Sequence, residues 1–373
     1  MKISNLNIFN KKLEKYLLKK FIRNFILFFF IVLFVVFLIE FVELLRRTSE
    51  NPEISSIFYI LYLAILKITE SVSFIIPISF IVTTMITCSI FNKHREMIII
   101  QNSGLNSFKI LYPFIVFSII FSILYITFLN PFFSYTTNLY QKVEQEMFRG
   151  KLSKASISKS GIWLRQGSDN NKIVIRSSNF IPNESLFKDA TFYIFTKKNN
   201  FIERIDAKNV KLDQNLWIMK DVIINRANKK VVKIDEYTLK TNLSIDKIEN
   251  SFLEPESLSI RKIPEFIKLL QESGFSATKH KMYLFKSIFL PLYLIGLILV
   301  AGSFTIKYTK TNVKTVFMIL SGSVFCFLIH VISEYIYSLG IANKLPTVLA
   351  SASPSIITIM MGIFFILHFE KTN

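Results

Sequence analysis

Six apolar runs, each able to cross a hydrocarbon core that takes about 20 helical residues, constrain this chain more than anything else in it. They cover approximately Phe25–Phe41, Ser71–Phe91, Ile110–Phe133, Ser287–Ile306, Thr315–Tyr337 and Thr347–His368. A chain of 373 residues that is 51% hydrophobic and carries 38 Phe is far more apolar than a soluble fold of that size needs. The predicted fold class is membrane α-helical, with six transmembrane helices in a 3+3 arrangement and a β domain inserted between the halves.

Lys and Arg near the span ends predict the orientation. With the N-terminus inside, the cytoplasmic ends collect fourteen of them, against three (Arg46, Arg47 and Lys344) in the short outer loops. Both termini are therefore expected in the cytoplasm and residues 134–280 outside it. The N-terminus is basic, but the apolar run behind it is too long for a signal-peptide core and lacks a small-residue cleavage site, so it reads as a retained span. The predicted domains are residues 1–133 with a cytoplasmic loop at 92–109, residues 134–280, and residues 281–373.

The net charge of +19 could suggest nucleic acid. Its distribution argues otherwise: the excess of Lys and Arg is spread over all three sections, with no dense basic stripe interleaved with aromatics. Cys88 and Cys326 lie in apolar runs and suggest neither a disulfide framework nor a metal site.

The central segment differs in kind from its flanks. β-rich runs such as "KIVIR", "TFYIF" and "LWIMKDVII" alternate with turn-forming clusters such as "GSDNN" and "KKNN". Such strands predict a sandwich or an open barrel, with Ile173, Ile175, Phe192, Ile194, Ile218 and Ile223 facing inward. A short helix follows, with Pro264 near its start and Gly274 as its stop.

Motifs for chemistry are missing. The chain has ten glycines and no GxxxxGK[ST] phosphate loop, and it contains neither HExxH nor GxSxG. The histidines His94, His280, His330 and His368 are scattered, so no metal or cofactor is expected. His330 and Glu334, four residues apart on the fifth span, could share a helix face.

Two polar constellations remain. In the loop "NKHREMIIIQNSGLNSFKI", residues 95–101 can form a short helix, Gly104 can end it, and Asn106 or Ser107 can cap the next span. On the residues alone this is either a helix lying on lipid or a contact for another protein. At the end of the first span, Glu43 stands three and four residues before Arg46 and Arg47, the spacing of a self-satisfied helix end.

The ordered combination of "EFVELLRR", "REMIIIQNSG", "SGIWLRQG", the block "TNLSIDKIENSFLEPESLSIRKIPEFIKLLQESG" and "FKSIFLPL" resembles the lipopolysaccharide-export permeases of the LptF/LptG family, closer to the G type. The resemblance covers nearly the whole chain and implies that the β domain is a periplasmic jellyroll. It implies an inner-membrane permease subunit without its own ATPase site. The implied partners are a related six-span subunit forming a heterodimer, a cytoplasmic ATP-binding-cassette ATPase dimer, a periplasmic jellyroll bridge protein, and lipopolysaccharide as substrate.

The resemblance also assigns residues. The loop would dock into the ATPase through Arg95, Glu96, Met97, Ile100 and Gly104, with Glu96 as the polar contact and Met97 to Ile100 as the apolar surface. Arg46 and Arg47, with Glu43 and Glu40, would line the headgroup site, since a guanidinium can grip phosphate oxygens through two parallel bonds. Glu40 departs from the family pattern, in which a basic residue is common. Trp163, at the start of the β domain, would pack where that domain meets the membrane or fill its core. The rival readings are a membrane scaffold that recruits periplasmic proteins, an intramembrane or lipid-modifying enzyme, a permease for another amphipathic lipid, and the F-type subunit.

Overall fold

A computed structural model of the chain describes residues 2–48, 56–148, 162–167, 171–181, 185–196, 200–213, 216–226, 230–241, 253–272, 275–306 and 312–371. The chain divides into two compact units, Met1–Thr137 with Lys281–Asn373, and Asn138–His280.

The first unit holds six helices long and apolar enough to cross a membrane. They are α1 (Lys2–Thr48), α2 (Ile57–Lys93), a long helix begun by α4 (Ser107–Leu124) and continued by α5 (Asn130–Phe148), then α7 (Thr278–Thr305), α8 (Asn312–Ile341) and α9 (Thr347–Lys371). The short helix α3 (Glu96–Asn102) lies between α2 and α4. The most apolar window of α2 is 67% buried, whereas that of α1 is only 6% buried. α2 is thus the hub of the unit, and α1 leaves most of its apolar surface uncovered. In the core, Phe21 stacks on Phe114 with ring centroids 4.3 Å apart, and Phe25 lies 4.7 Å from Phe80.

Between α4 and α5 the helix widens into a π turn at Tyr125–Leu129. The cause is local. Pro131 has no N–H to give and its ring would collide with the carbonyl of Thr127, and a widened turn relieves both. The buried Asn130 beside it donates to the Tyr283 hydroxyl at 2.9 Å, which ties this helix to α7. α7 and α9 approach each other through glycine: a Cβ on Gly296 would stand 2.4 Å from the Thr358 hydroxyl, and one on Gly362 would stand 2.5 Å from Leu299. Small residues let apolar helices approach this closely where water supplies no driving force.

The second unit is built on a six-stranded antiparallel sheet in sequential order. Its strands are β1 (Ile162–Gly167), β2 (Asn171–Ile181), β3 (Leu186–Thr196), β4 (Phe201–Asp213), β5 (Leu216–Arg226) and β6 (Val232–Lys240). The described strands thus form one meandering sheet instead of two facing sheets. That sheet is rolled. Gln166 on β1 accepts from Thr241 (2.8 Å) just beyond β6, and donates to the Lys240 carbonyl (3.2 Å) on β6, although β1 and β6 share no ladder. In an antiparallel order these two C-terminal ends lie at opposite ends of the sheet, so only a strongly coiled sheet brings them together.

A row of aligned irregularities crosses it. Pairing passes from Ser177↔Ala190 to Asn179↔Lys188, from Lys188↔Asn209 to Ala190↔Ala207, and from Asn209↔Lys220 to Ala207↔Val222, skipping Ser178, Asp189, Lys208 and Asp221 at one level. Asp189 and Asp221 take positive φ there (49° and 56°). One residue is skipped on each partner, so the register is kept across this level; the register shifts instead between Ile194 and Phe195, near the end of β3, where a bulge strengthens the right-handed twist. The level of skipped residues changes the phase of the buried face within β3, β4 and β5: in β5, Trp217 and Met219 are buried before Asp221, and Val222 and Ile224 after it. The inward assignment of Ile173, Ile175, Phe192 and Ile194 agrees with their burial. That of Ile218 and Ile223 does not, since Ile218 is half-buried and Ile223 exposed on the opposite face. The expected short helix is α6 (Ile263–Glu272), with Pro264 at its second position, and Gly274 falls outside the described residues.

Candidate functional site

The loop between α2 and α4 is a helix held between two left-handed corners. Arg95 turns the chain after α2 with φ 58°, and Gly104 turns it again with φ 84°. Glycine meets no steric penalty at the second corner. The side chain of Asn106 caps α4 by accepting from Lys109 N at 3.1 Å, and the Glu370 carboxylate accepts from Ser107 N at 2.9 Å. The helix begins one residue later than the sequence suggests, because Arg95 is the corner itself.

The side chains of α3 divide differently from the expectation. Met97 and Ile100 are buried in the same apolar core as Leu17, Phe21 and Phe91, so they do not form an outer apolar surface. Ile99 does, at 70% exposed. The Glu96 carboxylate is occupied within the chain: the Tyr16 hydroxyl donates to it at 2.9 Å and the Lys20 ammonium at 3.0 Å, both from α1. The physical reason is periodicity. A seven-residue helix lying against a bundle must turn one side inward, and residues 96, 97 and 100 share that side.

A second cluster sits at the other end of α1. Glu43 receives Arg46 (3.1 Å) and Arg47 (2.9 Å), so the helix end is self-paired, and Arg46 projects outward with its side chain 71% exposed. Glu40, the departure from the family pattern, pairs with Lys67 on α2 at 2.5 Å, with both side chains largely buried. A third cluster joins α7 to α8. Lys286 donates to Glu334 at 2.7 and 2.8 Å and lies over the Tyr337 ring, while the Tyr293 hydroxyl and His330 Nδ1 are 3.0 Å apart. His330 and Glu334 thus share the face of α8 turned toward α7, as their spacing suggests, each with its own partner there. A small cavity of about 40 Å³ lies against this cluster, lined by Ser73, Ser333, Ser351 and Ser355 among others.

Sequence reasoning missed Tyr16, Lys20 and Lys286. All three act between helices, where spacing along the chain carries no signal. The one available hint was an opposite charge at matching depth: Glu40 and Lys67, like Lys286 and Glu334, lie two to three turns from neighbouring helix ends. Trp163 stands in β1 opposite Arg176. The tryptophan at the centre of the sheet core is Trp217, fully buried and edge-on to Phe187 at 5.1 Å. Among the described residues, no three or more His, Cys, Asp or Glu residues could hold a metal ion.

Six helices able to span a membrane, an inserted antiparallel sheet and polar clusters near helix ends define a polytopic membrane protein. The comparisons are more specific: the lipopolysaccharide export system permease LptF/LptG family matches residues 15–368, and the chain belongs to that family. The permease protein LptG of Haemophilus influenzae is 22% identical over 310 residues, which span 79% of this chain and 82% of that protein. LptG of Escherichia coli strain K12 is 23% identical over 230 residues, 60% of this chain and 61% of that protein, and LptG of Escherichia coli O6:H1 aligns to the same extent.

Proposed function

We propose that this chain is the G-type permease subunit of an ATP-binding-cassette exporter in the bacterial inner membrane, which extracts lipopolysaccharide and passes it to a periplasmic bridge. The observation that carries the reading is family membership over residues 15–368. It is supported by the bare apolar face of α1, where Leu27, Phe30, Phe34, Ile39 and Val42 are each at least 60% exposed. A surface of that size inside one chain suits a second six-span subunit across a lipid-filled cavity.

In this reading both termini are cytoplasmic and residues 134–280 are periplasmic. The loop at 92–109 meets the ATPase dimer, presenting Arg95 and Ile99, with Glu96 at its first turn and Gly104 fixing its exit. Arg46 and Arg47 meet headgroup phosphates, and a phosphate would compete with Glu43 for them. The rolled sheet continues the route into the bridge protein. Each acyl CH₂ withdrawn from the bilayer costs about 0.8 kcal/mol, so a substrate with several chains needs coupled ATP hydrolysis, which the partner ATPase supplies.

The test is release of labelled lipopolysaccharide from proteoliposomes containing this chain, its six-span partner and the ATPase, to a soluble periplasmic acceptor. Release that requires ATP and falls on Arg46→Glu/Arg47→Glu is expected. An assembled, ATP-hydrolysing complex that releases none would overturn the reading.

A further inference from the structure

We propose that Tyr16 and Lys20 are positioning residues for transport: they hold the Glu96 carboxylate against α1, so that a displacement of α3 is delivered to α1 instead of being lost in the loop. The inference rests on the exporter reading and deepens it. Its first support is geometry. Glu96 opens α3, and its two oxygens are taken by the Tyr16 hydroxyl (2.9 Å) and the Lys20 ammonium (3.0 and 3.4 Å).

Lys20 is set apart from its neighbours. Lys11, Lys12, Lys15 and Lys19 on the same stretch of helix are exposed, whereas the Lys20 side chain is only 20% exposed. Its ammonium lies 4.6 Å from the Tyr16 ring and 5.1 Å from the Phe91 ring. Cation and aromatic faces attract at such distances, so the charge is held in place from three sides. Beneath it, Met97 and Ile100 share a buried core with Leu17 and Phe21. α3 is therefore fastened to α1 through charge as well as through apolar packing.

The rest of the molecule makes this attachment consequential. The corners at Arg95 and Gly104, both left-handed, join α3 to α2 and α4 through short non-helical turns, not through a continuous helix. α1, by contrast, runs 47 residues without proline or glycine, while α2, α4, α7 and α9 each contain proline. Helices bend at such residues, so α1 is the stiff member of the set. It ends at the Glu40–Lys67 pair and the Arg46/Arg47 cluster. A push on α3 that reaches Lys20 is thus carried to the opposite end of α1.

The experiment exchanges the charges. In the reconstituted complex, Lys20→Glu is expected to keep ATP hydrolysis but raise the ATP consumed per lipid released by at least about fivefold, Glu96→Lys alone is expected to lose release, and the double exchange is expected to return within about twofold of the unaltered complex. An exchange no better than Glu96→Lys alone, or a Lys20→Glu complex with normal coupling, would overturn the proposal, because Glu96 would then act only toward the ATPase. Amide exchange over residues 97–102 in the purified chain gives a second reading that needs no transport. Each single variant should speed it by about tenfold and the double should restore it; unchanged protection in the singles sinks the clamp. Absence of release by the unaltered complex would count against the exporter reading, while the exchange rates still decide the clamp.

Discussion

Gly296 on α7 and Gly362 on α9 each leave room that the facing helix fills, one against Thr358 and the other against Leu299. Because the neighbour of Gly296 includes the Ile359 backbone nitrogen at 2.8 Å, no rotamer change can make space for a side chain. Gly296→Leu is expected to destabilise the helix pair by about 1–3 kcal/mol. Thermal unfolding in detergent should shift down, with earlier thiol labelling of Cys326, which is buried in the parent protein. In the sheet, Phe192 is fully buried and edge-on to Trp217 at 5.7 Å. Phe192→Ala should cost about 3–5 kcal/mol, whereas Ile223→Ser, on the exposed face, should stay within about 0.5 kcal/mol. The two tryptophans of the chain, Trp163 and Trp217, both lie in the β unit, so intrinsic fluorescence follows its unfolding separately from that of the helices.

At the scale of elements, the corners of α3 differ in chemistry. Gly104 has open space around its Cα, so only its φ of 84° resists a side chain. Gly104→Ala is expected to cost about 1–2 kcal/mol through strain alone, seen as faster amide exchange in α3 and the start of α4, with α7 to α9 unchanged. Arg95→Gly removes the corresponding strain at the other corner and should slow exchange there. The spans were legible because a run of apolar residues has one use at this length, and the α2 extension to Ile57 follows from the same pattern. The strands were legible as runs but not as faces. Alternation holds only until Asp221, and nothing local in "LWIMKDVII" announces that this residue will adopt positive φ. The inward turn of Met97 and Ile100 was hidden for another reason: four apolar residues in a row carry no period, so only packing decides which of them is buried.

For the whole molecule, the orientation read from Lys and Arg predicts which loops meet which solvent. Ser103→Cys, in the exposed loop after α3, should react with a membrane-impermeant maleimide only after the cells are opened, whereas Ala342→Cys, between α8 and α9, should react in spheroplasts. The buried Cys88 and Cys326 should stay silent in both. Reaction at residue 103 in intact spheroplasts would reverse the topology and with it the place of the ATPase. Pairings between distant helices, such as Lys67 with Glu40 and Lys286 with Glu334, could not be read from one sequence, because the bundle, and not the chain, sets who faces whom.

The rolled sheet has one consequence of its own. Among the described residues its two edges are joined by the side chain of Gln166, not by a ladder, and that amide also accepts from the Trp217 indole at 3.4 Å. Opening the roll would give up those bonds, at about 1 kcal/mol each, and would also expose the fully buried Trp217, Phe187 and Phe192, at about 1.5–3 kcal/mol for each side chain. The seam is therefore held twice, by the Gln166 amide at its rim and by the apolar core beneath it, and the amide alone could be lost without unrolling the sheet.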